Sequence, residues 1–149
     1  LTVTVTPLHA NSVAALAQCH IDCWRESYRG LVADHVLNAF DVARRADQWE
    51  RVRAAGLSRI YTAVNGSGVV GFAAATDAEL DALYVRQSHW GTGLSNELIE
   101  AAIGDDSTRL WVFEENHRAV RFYRRHGFVA DNVSRIEPFT GLTEIRMSR

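Results

Sequence analysis

Lysine is absent from this 149-residue chain. All 16 basic side chains are arginine, and with 18 acidic residues the net charge is −2 when histidine is neutral. The absence excludes a catalytic or Schiff-base lysine, and the charge balance argues against a polybasic binder of nucleic acid or membrane surfaces. The Arg-only usage reads more simply as an echo of a GC-rich coding sequence than as selection for guanidinium chemistry. Cysteine is nearly missing as well. Cys19 and Cys23 stand four apart in a helical stretch with no Cys/His pair at metal-ligand spacing, so small apolar fillers are expected and no metal site. His20 lies between them but turns to another face of that helix. Two prolines and ten glycines exclude collagen-like and low-complexity chains. No long hydrophobic run occurs either: the longest near-continuous apolar stretch, Val69 to Ala75, is far too short to span a bilayer. The start, Leu1 followed by interleaved threonines, lacks an apolar leader region, so the default expectation is a cytoplasmic protein.

What is present is 47% apolar and 23% charged content, enough to bury one compact core, and a single domain over residues 1–149 is expected. Alternating Val and Thr predict a strand over Thr2 to Thr6, ended by Pro7. Asn11 or Ser12 then caps an amphipathic helix with Val13, Leu16, Ala17, His20 and Trp24 at helical spacing. The chain breaks near Arg29 and Gly30, and a second helical stretch runs from Ala33 to Ala55 in two pieces around Asp41, closed by Gly56. Ile60–Asn65 and Val69–Thr76 read as strands joined by a Gly66-Ser67-Gly68 turn, and Glu79–Val85 as a third. A helix over Leu94–Ile103, a strand over Arg109–Phe113, a helix from Asn116 to His126 stopped by Gly127, and strands over Phe128–Ser134 and Leu142–Ser148 complete the order. No linker or internal repeat interrupts it, and a mixed α/β fold is expected.

Between the third strand and the next helix lies Trp90-Gly91-Thr92-Gly93-Leu94-Ser95. A strand, a glycine turn and a helix bind anions, because the first helical turn offers unpaired N–H groups at the positive end of the dipole. Alone the signal is weak: at about 7% glycine, one G-x-G is expected by chance in a chain this long. The phosphate loop that needs a lysine does not fit, and neither does the dinucleotide fingerprint, because Asn96 stands where a third glycine is required. A second constellation changes the odds. Asn116, Ala119, Phe122, Tyr123, Gly127 and Phe128 spell N-x-x-A-x-x-F-Y-x-x-x-G-F, and Leu83-Tyr84-Val85 precedes the glycine turn.

With both in place, nearly the whole chain resembles the GNAT superfamily of acyl-CoA-dependent N-acetyltransferases. That resemblance implies a central, mostly antiparallel, twisted sheet of about seven strands flanked by about four helices, and acetyl-CoA as co-substrate without a metal. The family reads Q/R-x-x-G-x-G/A at the pyrophosphate turn; here Gly93 is kept, while Trp90 and Ser95 replace the first and last positions. By resemblance, the cofactor residues are Leu83 and Val85, whose backbones would bond the pantetheine arm, the segment Gly91, Thr92, Gly93, Leu94, Ser95 and Asn96, and Asn116 and Tyr123. The backbone amides of Gly91, Gly93, Ser95 and Asn96 would form the phosphate cradle. Arg86, Arg118 and Arg121 are the nearest basic residues by sequence, although solvated-surface roles fit each.

Acyl transfer to an amine needs a neutral nucleophile, a stabilised oxyanion and a hydrogen-bond donor for the departing thiolate. An alkylamine of pKa about 10.4 is neutral in only about one molecule in two thousand at pH 7, so a base matters. On the strand, Glu79, Asp81, Leu83 and Val85 share one face by period two. Glu79 sits where relatives often place the base and is favoured over Asp81, with a water relay as the alternative. Tyr123 matches the family's general acid, and the Val85 N–H is the expected oxyanion donor. On the acceptor side, Trp24 and Tyr28 in W-x-x-x-Y-x-G, joined by Trp111, offer an aromatic wall that would stack on a ring or hold an ammonium, or else form core. A small-molecule primary amine is the expected acceptor. A protein or peptide acetyltransferase and a non-catalytic acyl-CoA sensor remain alternatives, and the family's habit of dimerising through its later strands extends the resemblance to a homodimer. No nucleic-acid or membrane partner is expected.

Overall fold

The computed structural model describes residues 2–149, so Leu1, the first residue of the leader reading, lies outside it. Strand β1 (Thr4–Pro7) lies antiparallel on β2 (Arg59–Asn65), which pairs with β3 (Gly68–Ala75), which pairs with β4 (Leu80–Val85). Helix α1 (Val13–Tyr28) is entered through a 3₁₀ turn at Ala10–Ser12. Neither expected cap operates there: the Ser12 hydroxyl donates to Asn11 Oδ1 at 3.4 Å, and the Ser12 N–H is spent on the His9 carbonyl. The next helical stretch does divide, into α2 (Asp34–Leu37) and α3 (Val42–Ala55). The Asp41 carboxylate causes the division by accepting from the N–H groups of Ala43 and Arg44 at 2.9 and 3.3 Å. After β4 come α4 (Leu94–Ile103), β5 (Arg109–Phe113), α5 (His117–Arg125), β6 (Val129–Ile136) and β7 (Thr143–Ser148). Among the described residues no helix is long and apolar enough to cross a membrane.

All seven expected strands form, but they divide into two sheets, ordered β1-β2-β3-β4 and β5-β7-β6. The sheets touch through one parallel bridge, Glu79 with Arg109, where the Arg109 N–H donates to the Ala78 carbonyl at 3.1 Å. Beyond that bridge β4 and β5 part. Helices α1 and α3 cover one face of the first sheet through Leu16, Cys19, Cys23 and Trp49 against Ile60, Phe72 and Ala74. Cys19 and Cys23 are free, fully packed, and 3.8 Å apart, as apolar fillers would be. On the other face Leu94, Leu98 and Ile99 of α4 join Val120 and Tyr123 of α5, Leu110, Val112, Phe128 and Met147 in a core shared by both sheets. A third cluster, Tyr28, Val32, Leu37 and Phe113, ties the α1–α2 corner to β5.

Along the central strand β3 small residues let α4 approach closely. At Gly71 an added Cβ would sit 3.0 Å from the Tyr84 carbonyl oxygen, 3.2 Å from Leu98 Cδ1 and 3.3 Å from Val85 Cγ2. Backbone cannot yield as a side-chain tip can, so a methyl here pushes β4 away from β3. Gly71→Ala is therefore expected to lower stability by about 1–3 kcal/mol, the usual range for overpacking, in urea unfolding. A stability equal to the parent protein's would contradict the close packing.

Candidate active site

Where β4 leaves β5, its backbone has groups to spare. The Arg86 N–H donates to the Val70 carbonyl at 2.9 Å, and with Phe72 opposite Tyr84 and Ala74 opposite Ala82 this fixes the antiparallel alternation. Residues 82, 84 and 86 pair with β3, and Leu83 and Val85 turn their N–H and C=O groups into the gap. The gap opens into a cavity of about 660 Å³. Of the residues expected at the site, Glu79, Leu83, Val85, Gly91, Gly93, Leu94, Ser95, Asn96, Trp111, Asn116, Tyr123, Trp24 and Tyr28 all line it. Thr92 does not, because its hydroxyl turns back to the His89 carbonyl at 2.6 Å.

The glycine turn closes one end of the cavity. Gly91 and Gly93 adopt φ of 77° and 87°, a left-handed geometry that disfavours any side chain, although nothing crowds either position. Gly93 is the N-cap of α4 and no side chain caps the helix. Its carbonyl accepts from both Asn96 and Glu97, at 3.1 and 3.3 Å, so the Asn96 N–H belongs to the helix and not to the expected cradle. The Leu94 and Ser95 N–H groups have no intrahelical partner and carry the positive end of the dipole. The Asn96 side chain meets His126 Nε2 at 2.8 Å.

Trp90, which stands where the resemblance leads one to expect a polar side chain, folds inward. Its Nε1–H donates to the Val85 carbonyl at 2.9 Å, so one of the four backbone groups on Leu83 and Val85 is satisfied by the chain itself. The Arg118 guanidinium stacks 3.5 Å over the Trp90 ring, and Arg118 lines the cavity. Arg86 is committed elsewhere, to Glu26 at 2.8 Å and Asp22 at 3.3 Å, and this pins the turn to α1. Arg121 is exposed. Asn116 caps α5, its Oδ1 accepting from the Ala119 N–H at 3.3 Å.

The carboxylates are arranged differently from the period-two reading. Ala74 faces Ala82 while Ala75 faces Leu80, so Asp81 is an extra, bulged residue in β4. The bulge puts Leu80 in the same core as Leu83 and Val85, and breaks the single face expected for Glu79, Asp81, Leu83 and Val85. Both carboxyls line the cavity. That of Asp81 is pushed up to about 6 by partial burial and by the hydrogen bond and charge of the adjacent Glu79. Glu79 also lies 3.9 Å from Arg109. Tyr123 is buried against Phe122 and Phe128, and among the described residues its hydroxyl has no hydrogen-bond partner. Burial, with a smaller effect from Tyr84, pushes its phenol well above the ordinary value.

The aromatic wall is both core and cavity lining. Trp24 and Tyr28 occupy the last turns of α1 and pack edge-on at 4.7 Å. The Tyr28 hydroxyl bonds to that of Tyr84 at 3.0 Å. One face of Trp111 is covered by Arg135 at 3.9 Å, which in turn bonds Glu144 at 2.9 Å. Sequence reasoning missed Tyr84, His20, Arg45 and Arg135 as lining residues, and gave Arg118 only as a nearby basic residue that a solvated-surface role would also fit. Only Tyr84 had a signal, since it stands inside the Leu83-Tyr84-Val85 segment.

Comparison with known proteins agrees with this geometry. Residues 56–130 match the family described as the acetyltransferase (GNAT) domain. An uncharacterized N-acetyltransferase, YuaI of Bacillus subtilis, is 25% identical, the match covering 83% of this chain and 79% of the relative. Among solved structures, PaiA N-acetyltransferase from Thermoplasma acidophilum in complex with coenzyme A superposes with a TM-score of 0.75 at 14% identity, with both chains covered in full. YncA, a putative acetyltransferase from Salmonella typhimurium with its cofactor acetyl-CoA, gives 0.74 at 15% identity, covering 100% of this chain and 94% of that one. A mutant of the spermidine N-acetyltransferase SpeG from Vibrio cholerae gives 0.69 at 15%, covering 99% and 92%.

Proposed function

This chain belongs to the GNAT acetyltransferase family, and on that premise we propose that it transfers an acetyl group from acetyl-CoA directly to a primary amine of a small molecule within a ternary complex. The observation that carries the reading is the gap between β4 and β5. It presents unpaired Leu83 and Val85 backbone groups beside an uncapped helix N-terminus and two left-handed glycines. These features suit a long ligand with an amide-bearing arm and a pyrophosphate. The coenzyme A and acetyl-CoA complexes of PaiA and YncA support the same assignment, as does the amine named for SpeG. A cavity of about 660 Å³ walled by aromatic side chains suits a small acceptor better than an extended peptide.

Acetyl-CoA, when bound, supplies the thioester carbonyl that the amine attacks. The Leu83 backbone holds the pantetheine arm as an added strand would. The Leu94 and Ser95 N–H groups, with those of the glycine turn, hold the pyrophosphate, and Arg118 stands ready beside it once it leaves the Trp90 ring. The Val85 N–H, turned into the gap, is the donor assigned to the developing oxyanion. The Asp81–Glu79 pair takes the proton that the ammonium must lose, and partial burial with the neighbouring Glu79 brings the Asp81 carboxyl up to about 6, near working pH. Tyr123 stays protonated throughout the neutral range and donates its O–H to the departing sulfur. Because burial weakens the phenol as an acid, its main contribution is that hydrogen bond.

Tyr123→Phe is expected to lower kcat by about tenfold to a thousandfold with little change in KM for acetyl-CoA, measured as thiol release across an amine panel. An unchanged kcat would remove Tyr123 from the mechanism. The pair makes a second prediction. Above pH 6 the Asp81 carboxyl is ionised and can accept a proton; below it the carboxyl holds one already, so kcat/KM falls about tenfold per pH unit on the acid side. Glu79→Gln removes the neighbouring charge, lets Asp81 ionise more readily, and moves this limb to lower pH, while Asp81→Asn abolishes it. The reverse pattern, abolition by Glu79→Gln and a mere shift by Asp81→Asn, would make Glu79 the base.

A further inference from the structure

Tyr84 faces away from α4, into the part of the cavity under α1 and α3, and around it the chain gathers hydrogen-bond donors without acceptors to match. The His20 ring lies 5.4 Å from that of Tyr84. Trp49 Nε1–H donates to His20 Nδ1 at 3.0 Å, which makes Nδ1 an acceptor and leaves the imidazole neutral with its proton on Nε2. Burial, reinforced by the charge of Arg45, holds this ring down to about 3, so it does not become a cation at working pH. Arg45 is half-buried, lines the cavity, and among the described residues has no carboxylate within ion-pair distance; its nearest aromatic face is Phe40 at 5.3 Å. Trp24 Nε1–H is fully buried and turned towards the Tyr84 hydroxyl, so it supports that hydroxyl and does not itself face the cavity. The Tyr28 and Tyr84 hydroxyls bond to each other, and one of the two protons remains to be donated outward.

The carboxylates near these donors are engaged. Glu144 is held by Arg135 at 2.9 Å, and Glu137 by the N–H groups of Phe139 and Thr140 at 2.8 and 2.7 Å. Asp22 and Glu26 are held by Arg86. Asp81 in β4 and Glu79 just before it stand at the N-terminal end of the strand, short of Tyr84. A guanidinium, an imidazole N–H and a phenol lining one space, none of them matched by an anion of the chain, describe a subsite for an oxyanion.

Resting on the acetyl-transfer reading above, we propose that the Tyr84 end of the cavity binds a carboxylate of the acceptor through Arg45 and His20 Nε2–H, so that the substrate is an amino acid or related amino-carboxylate and not a plain polyamine. The two ends of the acceptor then meet opposite chemistry: its ammonium faces the Asp81–Glu79 pair and its carboxylate the donors. No bond is made or broken at this subsite; it orients the amine towards the thioester.

The test pairs each proteinogenic α-amino acid with its primary amide and includes spermidine, using thiol release with acetyl-CoA and calorimetric titration of each compound into the enzyme. The proposal expects at least one amino acid to exceed its amide in kcat/KM by about tenfold to a hundredfold, the worth of a charge-assisted contact. For that acid, Arg45→Gln should raise KM by a similar factor and leave KM for acetyl-CoA and for the amide unchanged, while Arg45→Lys recovers part of the loss. Equal handling of acids and amides, turnover of spermidine alone, or an Arg45→Gln loss that falls alike on both members of a pair would each overturn it. If no amine is acetylated, the acetyl-transfer reading fails. The calorimetric arm then decides the subsite by itself: binding of an amino acid that Arg45→Gln weakens upholds it, and the absence of such binding refutes it.

Discussion

Strands β4 and β5 touch once, at Glu79 and Arg109, and then part. The function proposed for this protein depends on that parting. A strand that leaves its neighbour inside a folded core strands its own N–H and C=O groups, and each one buried without a partner costs about 1–3 kcal/mol. The chain answers one of these groups itself, with the Trp90 indole on the Val85 carbonyl. The others face the cavity, where a ligand that lies along the strand supplies their partners. The same geometry explains why Arg86 grips Asp22 and Glu26: it fixes the turn that follows β4 to α1, and so holds the glycine turn and the start of α4 at the mouth of the gap.

Burial acts on two groups in this cavity and gives them opposite tasks. It raises the proton affinity of Asp81 and of Tyr123 alike. A carboxyl that begins near 3.8 arrives at about 6 and still ionises at neutral pH, so it accepts a proton. A phenol that begins near 10 is carried further from ionisation and can only donate. Separate roles need no separate devices here, only different starting acidities in one partly dry space. The bulge at Asp81 matters too, because it takes this residue out of the regular pleat that would have set it with Leu83 and Val85, gives that place to Leu80, and leaves the Asp81 carboxyl in the cavity beside Glu79.

Local features were legible in the sequence. The element order, the division at Asp41, the glycine turn and the start of α5 at Asn116 all follow from neighbours within a few residues. What escaped depends on contacts between distant segments. Period two over Glu79–Val85 cannot anticipate an extra residue whose cause lies in pairing with Ala74 and Ala75. Trp90 looked misplaced in a phosphate turn until the fold brought its indole to Val85 and Arg118 to its ring. Arg45 and His20 belong to helices α3 and α1, and nothing in either local pattern says that they meet Tyr84 on a strand about 40 to 60 residues away.

The claim at the centre of the account is that the parted backbone of β4 is a ligand site. Amide hydrogen exchange at Leu83, followed by NMR with and without saturating coenzyme A, tests it most directly. The account predicts that exchange at Leu83 slows by at least about tenfold on binding, as an N–H gaining a buried hydrogen bond does, while Tyr84, already paired with β3, changes little. Binding that leaves the Leu83 amide exchanging as freely as before would contradict it.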